Sequence, residues 1–150
     1  MSNYLVFSKL ILMLIWAGSL SAQTGKIPQP VFPDGEAEFI ELRDGIQVHI
    51  VNGDSELSQK SYKRATVHYA GWLKDGTLFD SSYSRYDEFR FRPFKNQVIA
   101  GWDIVVSHME PGDKVYALLP AKYAYGDKGI PGRIPPDSEL LFFIHLIEAK

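Results

Sequence analysis

One stretch limits what this chain can fold into more than any other. In "AGWDIVVSHME", Ala100 to Glu110, the apolar residues Trp102, Val105, Val106 and Met109 recur at helical spacing until Pro111-Gly112 stops the run. Everywhere else the periodic segments have a period of two. A chain with many strands and one short amphipathic helix must bury the helix stripe against a sheet, because no second helix can take it. The expected architecture is therefore α+β, an antiparallel sheet whose concave apolar face holds the single helix.

The strands follow from pattern and punctuation. "FIELRDGIQVHIV", Phe39 to Val51, alternates on both sides of Asp44-Gly45, a dipeptide suited to a tight turn, so two short strands are expected. "RATVHYAGWL", Arg64 to Leu73, is rich in β-branched and aromatic residues and ends at the turn "KDGT". "EFRFR", "KVYALLPA" and "ELLFFIHLIEA" complete the set. In "VHYAG" the strand period places Tyr69 inward and His68 outward. Leu140, Phe142, Ile144 and Leu146 share the inner face of the last strand. Its outer face, with Leu141, Phe143 and Ile147, is more apolar than a solvated side should be, so the extension around Phe39 to Val51 or a partner is expected to cover it.

Composition removes several classes of function. Lys and Arg are scattered and the formal charge is −2, so there is no electrostatic footprint for nucleic acid. The chain has no cysteine, which excludes disulfides, thiolate metal sites and Cys nucleophiles. His49, His68, His108 and His145 fall on separate elements without ligand spacing, and no metal or cofactor is expected. A Ser81, His68, Asp80 hydrolase reading fails because His68 points away from the inner face. Lys122/Lys128 and Glu110/Asp113 read as solvated charge.

The first residues differ in kind. A Lys-bearing start, the apolar run Leu10 to Ala17 and a small-residue junction at Ala22-Gln23 describe a signal peptide over 1–22, too short to span a bilayer. The product is then expected in the periplasm or secreted, with no membrane attachment after cleavage. Residues 23–36, Pro- and Gly-rich, read as a flexible arm; 37–59 as a strand extension; and 60–150 as the functional domain.

Four blocks in order, "VHYAGWLKDGTLFDSS", "FRF", "VIAGWDIVVSHMEPGDK" and "YAYGDKGIPGRIPPDSELLFFIHLI", resemble the FKBP-type peptidyl-prolyl cis-trans isomerases, here an exported bacterial-type member. The resemblance runs from about Lys60 to Lys150. It implies an FKBP-like half-barrel wrapped around a short helix. The implied catalytic set is Tyr69, Phe79, Asp80, Trp102, Tyr125 and Phe142, and the implied substrate-binding set is Phe89, Val98, Ile99, Ile130, Arg133 and Ile134. Trp102 would form the pocket floor, with the Ile99 N–H and the Tyr125 hydroxyl as donors to substrate carbonyls. Asp80 would be the acid at the rim, orienting Tyr69 or accepting hydrogen bonds.

The implied partners are proline-containing polypeptides and macrolide ligands, bound by a monomer. The alternative is a folding chaperone or peptide-binding module with the same fold and little isomerase activity. Taken singly, Trp102 and Tyr125 would read as packed core and a satisfied hydroxyl; flanking one loop, they favour a site. Two departures from the family stand out. Phe94 replaces a common Gly, so the "RPFK" turn is expected to differ in path. Ile130 and Arg133 occupy variable loop positions, and Arg133 brings a cation to the rim, leaving the residue preferred before proline open.

Overall fold

A computed structural model describes residues 26–53 and 57–150. The signal-segment expectation lies outside the described residues. Seven strands form one antiparallel sheet: β1 (Ile40–Arg43), β2 (Ile46–Asn52), β3 (Ala65–Leu73), β4 (Leu78–Ser81), β5 (Phe89–Phe91), β6 (Lys114–Leu119) and β7 (Leu140–Ala149), with helix α1 (Ala100–Val106) between β5 and β6. The strand order is β1-β2-β6-β7-β3-β4, and β5 pairs with β3 beside β4. One edge of β3 thus follows β7 along its whole length, while the other is shared. Ala70 to Trp72 face β4, and Ala65 to Val67 face β5. Among the described residues no helix is long and apolar enough to cross a membrane.

The β1–β2 turn forms as its residues dictate. Asp44 and Gly45 both have positive φ, 47° and 86°, which closes a two-residue hairpin with the hand the strands require. This hairpin extends the sheet through β2–β6 pairing and does not lie across it. Ile46 and Val48 of β2 enter the main core.

That core fills the concave side. Val67, Tyr69, Phe91, Val115, Ala117, Leu140, Phe142, Ile144 and Leu146 from the strands meet Trp102, Val105, Val106 and Met109 from the helix segment. The helix is shorter than its apolar pattern. It ends at Val106, and Ser107 explains why: its hydroxyl donates back to the Ile104 carbonyl at 2.7 Å, while His108 N–H and Met109 N–H bond three residues back, to Val105 and Val106. The tightened turn still delivers Met109 to the core.

The outer face carries a second core of Ala70, Trp72, Tyr83, Tyr116, Leu118, Leu141 and Phe143. Its cover differs from expectation. Phe39 contributes, but the larger share comes from Ile27, Val31 and Phe32, in the stretch read as a loosely held arm. The Tyr116 hydroxyl also donates to the Gln29 carbonyl at 2.6 Å. Burial of those three apolar side chains offsets the entropy of ordering a Pro-rich segment that is already restricted in φ.

Candidate active site

The helix axis presents Trp102 to the middle of the sheet, where four rings surround it. Tyr69 lies 4.9 Å away between centroids, Phe142 5.4 Å, Phe91 5.9 Å and Phe89 6.0 Å, the first, second and fourth edge-on. Phe79 continues the wall, edge-on to Phe142 at 5.5 Å. Edge-to-face packing of this kind holds rings at fixed angles, since each positive edge meets a negative face. Trp102, Phe142 and Tyr69 are buried, whereas Phe79, Phe89, Val98 and Ile99 are only partly covered and line the open side. Gly71 makes the arrangement possible: a Cβ there would come within 2.7 Å of Phe79 and 2.8 Å of Phe142.

The floor has one unusual feature. The Trp102 Nε1 donor is buried and has no hydrogen-bond partner among the described residues. Buried donors are almost always satisfied, so this one stands out among the described residues.

Above the cage, polar groups are tied together at one side. Tyr69 donates to Asp80 Oδ2 at 2.6 Å; Arg85 donates through Nη1 to Asp80 Oδ1 and through Nη2 to the Tyr69 oxygen, both at 2.6 Å. Burial pushes the Asp80 carboxyl upward, but the Tyr69 and Arg85 hydrogen bonds and the guanidinium charge more than offset it, leaving it below the usual carboxylate range. Burial, then the bond to Asp80, push the Tyr69 phenol up to about 12, so it remains a donor. Arg85 was not among the residues singled out from sequence. It lies five positions beyond Asp80 across a short helical turn, a spacing with no periodic signal.

The loop from Tyr123 to Pro136 forms the opposite side. Ile130 and Ile134 bridge each other, with the Ile130 N–H on the Ile134 carbonyl at 2.8 Å, and Ile134 is buried against the cage cluster. Gly129 is required there. Its φ is +58°, and any Cβ would run into the Ile134 carbonyl and the Pro135 backbone. The loop is also fastened to the β1–β2 turn by Tyr123, which donates to Asp44 at 2.8 Å. Tyr125 is 36% exposed and its hydroxyl has no partner among the described residues. Burial first, and the nearby Asp80 charge second, raise its pKa, with Arg133 acting in the opposite sense. The Tyr125 hydroxyl thus lies within electrostatic reach of both Asp80 and Arg133. The Ile99 N–H, just before the helix, is likewise without an acceptor among the described residues.

Of the twelve residues singled out from sequence, Tyr69, Trp102, Ile134 and Phe142 are buried in the main core and Phe79, Phe89, Val98, Ile99 and Ile130 pack against it, while Asp80 is tied to Tyr69 and Arg85. Two open depressions lie elsewhere, one against Gln59, Lys60, Ser61 and Phe94 and the other against Arg64, Arg90, Phe91, Arg92 and Gln97. Neither includes any of the twelve, and their shallow, charged rims lack convergent apolar walls.

Other residues read from the sequence take defined positions. Phe94 adopts the left-handed conformation that a glycine would take freely, φ 58°, held by its N–H on Asp103 Oδ1 at 2.9 Å. Asp113, read as solvated, is buried and accepts the Glu110 N–H at 2.8 Å. The nearest serine to His68 is Ser82, at 3.0 Å, but its oxygen also accepts the Tyr69 N–H at 2.8 Å and is fully enclosed, so no nucleophile is presented.

The arrangement defines an aromatic cage on an antiparallel sheet, bordered by donors that have no acceptor among the described residues. Comparison with known proteins agrees. The family model for FKBP-type peptidyl-prolyl cis-trans isomerases matches residues 56–147. The chain is 42% identical over 107 residues to peptidyl-prolyl cis-trans isomerase Fkbp12 of Drosophila melanogaster, covering 71% of this chain and 99% of that one. It is 40% identical over 98 residues to FK506-binding protein 1 of Saccharomyces cerevisiae, covering 65% and 86%. A crystal structure of a peptidyl-prolyl cis-trans isomerase from Pseudomonas syringae pv. tomato superposes with a TM-score of 0.65 at 32% identity, covering 75% of this chain and 80% of that one. The chain belongs to the FKBP-type peptidyl-prolyl cis-trans isomerase family. Its activity is the rotation of Xaa-Pro bonds.

Proposed function

We propose that rotation is accelerated without covalent chemistry, by binding the twisted amide in the cage better than the planar one. The observation that carries this reading is the cage of rings, Tyr69, Phe89, Phe91 and Phe142, packed around Trp102. A planar amide is strongly polar and resists transfer into an apolar enclosure. Twisting removes resonance and lowers that polarity, so the enclosure disfavours the ground state more than the transition state. The Ile99 N–H and the Tyr125 O–H hold the flanking carbonyls while the bond turns, and Arg85, Asp80 and Tyr69 fix one wall.

The energy needed is modest. The amide barrier is ~18–20 kcal/mol and uncatalysed exchange takes tens to hundreds of seconds. Reaching a turnover of roughly 10 per second requires about a thousandfold acceleration, or ~4 kcal/mol. Positioning and fixed dipoles can supply that much.

The test is exchange of a Leu-Pro peptide followed by NMR with wild type, Phe79→Ala and Phe142→Leu, each shown to be folded by circular dichroism. Both variants are expected to lose at least about tenfold, which is ~1.4 kcal/mol of barrier, and Asp80→Asn less. Wild-type acceleration in both variants would refute the cage. Binding of the peptide without acceleration by wild type would establish the chaperone reading instead.

The same cage suits FK506-type macrolides, which should compete with peptide. Cover of the outer face by residues 27–32 supports a monomer, to be checked by light scattering. Export with cleavage after Ala22 follows from the segment 1–22; the intact mass of protein recovered outside the cytoplasm decides it, and a mass that includes Met1 refutes it.

A further inference from the structure

The two charges within reach of the Tyr125 hydroxyl are balanced differently. Asp80 is neutralised by Arg85 at 2.6 Å. Arg133 is exposed and makes no ion pair among the described residues. Its backbone is fixed. Its N–H donates to the Ile130 carbonyl at 2.9 Å, and it stands between two bridged isoleucines that pack on the cage. Its charge is felt at the Tyr125 hydroxyl. An exposed, unpaired guanidinium carried on a fixed stretch of backbone next to the cage residues is an open position for a carboxylate, which it can meet with two parallel N–H donors.

We propose that Arg133 sets substrate preference, favouring peptides with an acidic residue immediately before the proline. This rests on the isomerase reading above and names the substrate class that reading leaves open. The contact lies at the solvent edge, so its effect is that of an exposed ion pair, about two- to fivefold in rate ratio, and is weakened by salt.

The experiment compares Ala-Xaa-Pro-Phe peptides with Xaa = Glu, Gln or Leu, scored as kcat/KM by NMR exchange at low ionic strength. Gln is the reference because it matches Glu in size and lacks the charge. The Glu/Gln ratio is expected to exceed one in wild type, to persist in Arg133→Lys, to fall about two- to fivefold in Arg133→Ala and to fall further in Arg133→Glu. A ratio equal in wild type, Arg133→Ala and Arg133→Glu overturns the proposal while leaving Leu-Pro acceleration intact. Absence of Leu-Pro acceleration in wild type would instead defeat the isomerase reading and this proposal with it. Should the Arg133 variants not fold, wild type alone decides: its Glu/Gln ratio should decline toward one at about 0.5 M salt, and a ratio indifferent to salt overturns the proposal.

Discussion

Replacing Arg85 with Gln removes a residue that reaches two pocket groups at once. In the wild type its guanidinium holds Asp80 Oδ1 and the Tyr69 oxygen, each at 2.6 Å. The Arg85 and Asp80 side chains are 51% and 29% exposed, so solvent screens the pair and its worth is that of a well-formed surface bridge, about 1 kcal/mol. For a domain of this size that lowers the melting temperature by about 3 °C.

The pH dependence of Arg85→Gln is more diagnostic. Asp80 titrates below its ordinary value in the folded protein, so the unfolded chain takes up a proton first as pH falls. The bridge's contribution is therefore complete above the unfolded carboxyl pKa, about 3.9, and is lost as pH drops through the folded one. In Arg85→Gln the largest influence left on Asp80 is burial, which acts the other way. Its carboxyl pKa, read from the side-chain carbon by NMR, should rise. The loss of stability as pH falls below about 4 should be less steep than in wild type. An unmoved Asp80 titration in the folded variant would refute the assignment of Arg85 as its clamp.

Three further outcomes follow from single features. Gly129→Ala combines a positive φ with a clash against backbone, so a loss of about 3 kcal/mol is expected in denaturant titration, with reduced kcat/KM as Ile134 shifts. Burial first, then the Lys114 and His68 charges, lower the His145 pKa; the folded state resists its protonation, so stability should fall as pH drops through about 6.5. In His145→Gln that part of the slope should vanish, as chemical denaturation between pH 7.5 and 5.5 would reveal. Deleting residues 26–36 uncovers Tyr116, Leu118 and Phe143; dye binding or concentration-dependent association should appear while Leu-Pro exchange persists, and a monodisperse, dye-silent product would contradict the packing described.

Much of this was legible because the sheet has one buried and one half-buried face. The period of two in β3 and β7 put Tyr69 and Phe142 on the same side as the Trp102 stripe, and the family motifs attached roles to them. What escaped has physical causes. Arg85 acts across a turn, where contacts depend on the path of Tyr83 to Tyr86 and not on any repeat. Strand β4 carries Asp80 and Ser81 among its four residues, and its polar content hides it until β3 supplies the partner. The helix stop lies in a Ser107 hydroxyl bond that an apolar pattern does not register. Ile27, Val31 and Phe32 were overlooked because Pro-rich composition outweighed three apolar residues, although the surplus of apolar side chains on the outer face of β7 had already announced that something must cover it.

The two faces of the sheet divide the work. On the outer face, apolar residues are matched by a segment of the chain's own arm, and the hydroxyl of Tyr116 is paired, so little is left to bind. On the inner face the matching is deliberately incomplete: the helix satisfies the lower cage, but the Trp102 N–H, the Ile99 N–H and the Tyr125 O–H are left without acceptors among the described residues. Leaving buried or half-buried donors unpaired costs stability, about 1–3 kcal/mol for an enclosed one. Such a cost persists where a ligand meets it. On the mechanism proposed above, a polypeptide would bring a carbonyl on each side of its proline ring to these donors, and the ring's lack of an N–H would suit a floor that offers donors and no acceptor among the described residues.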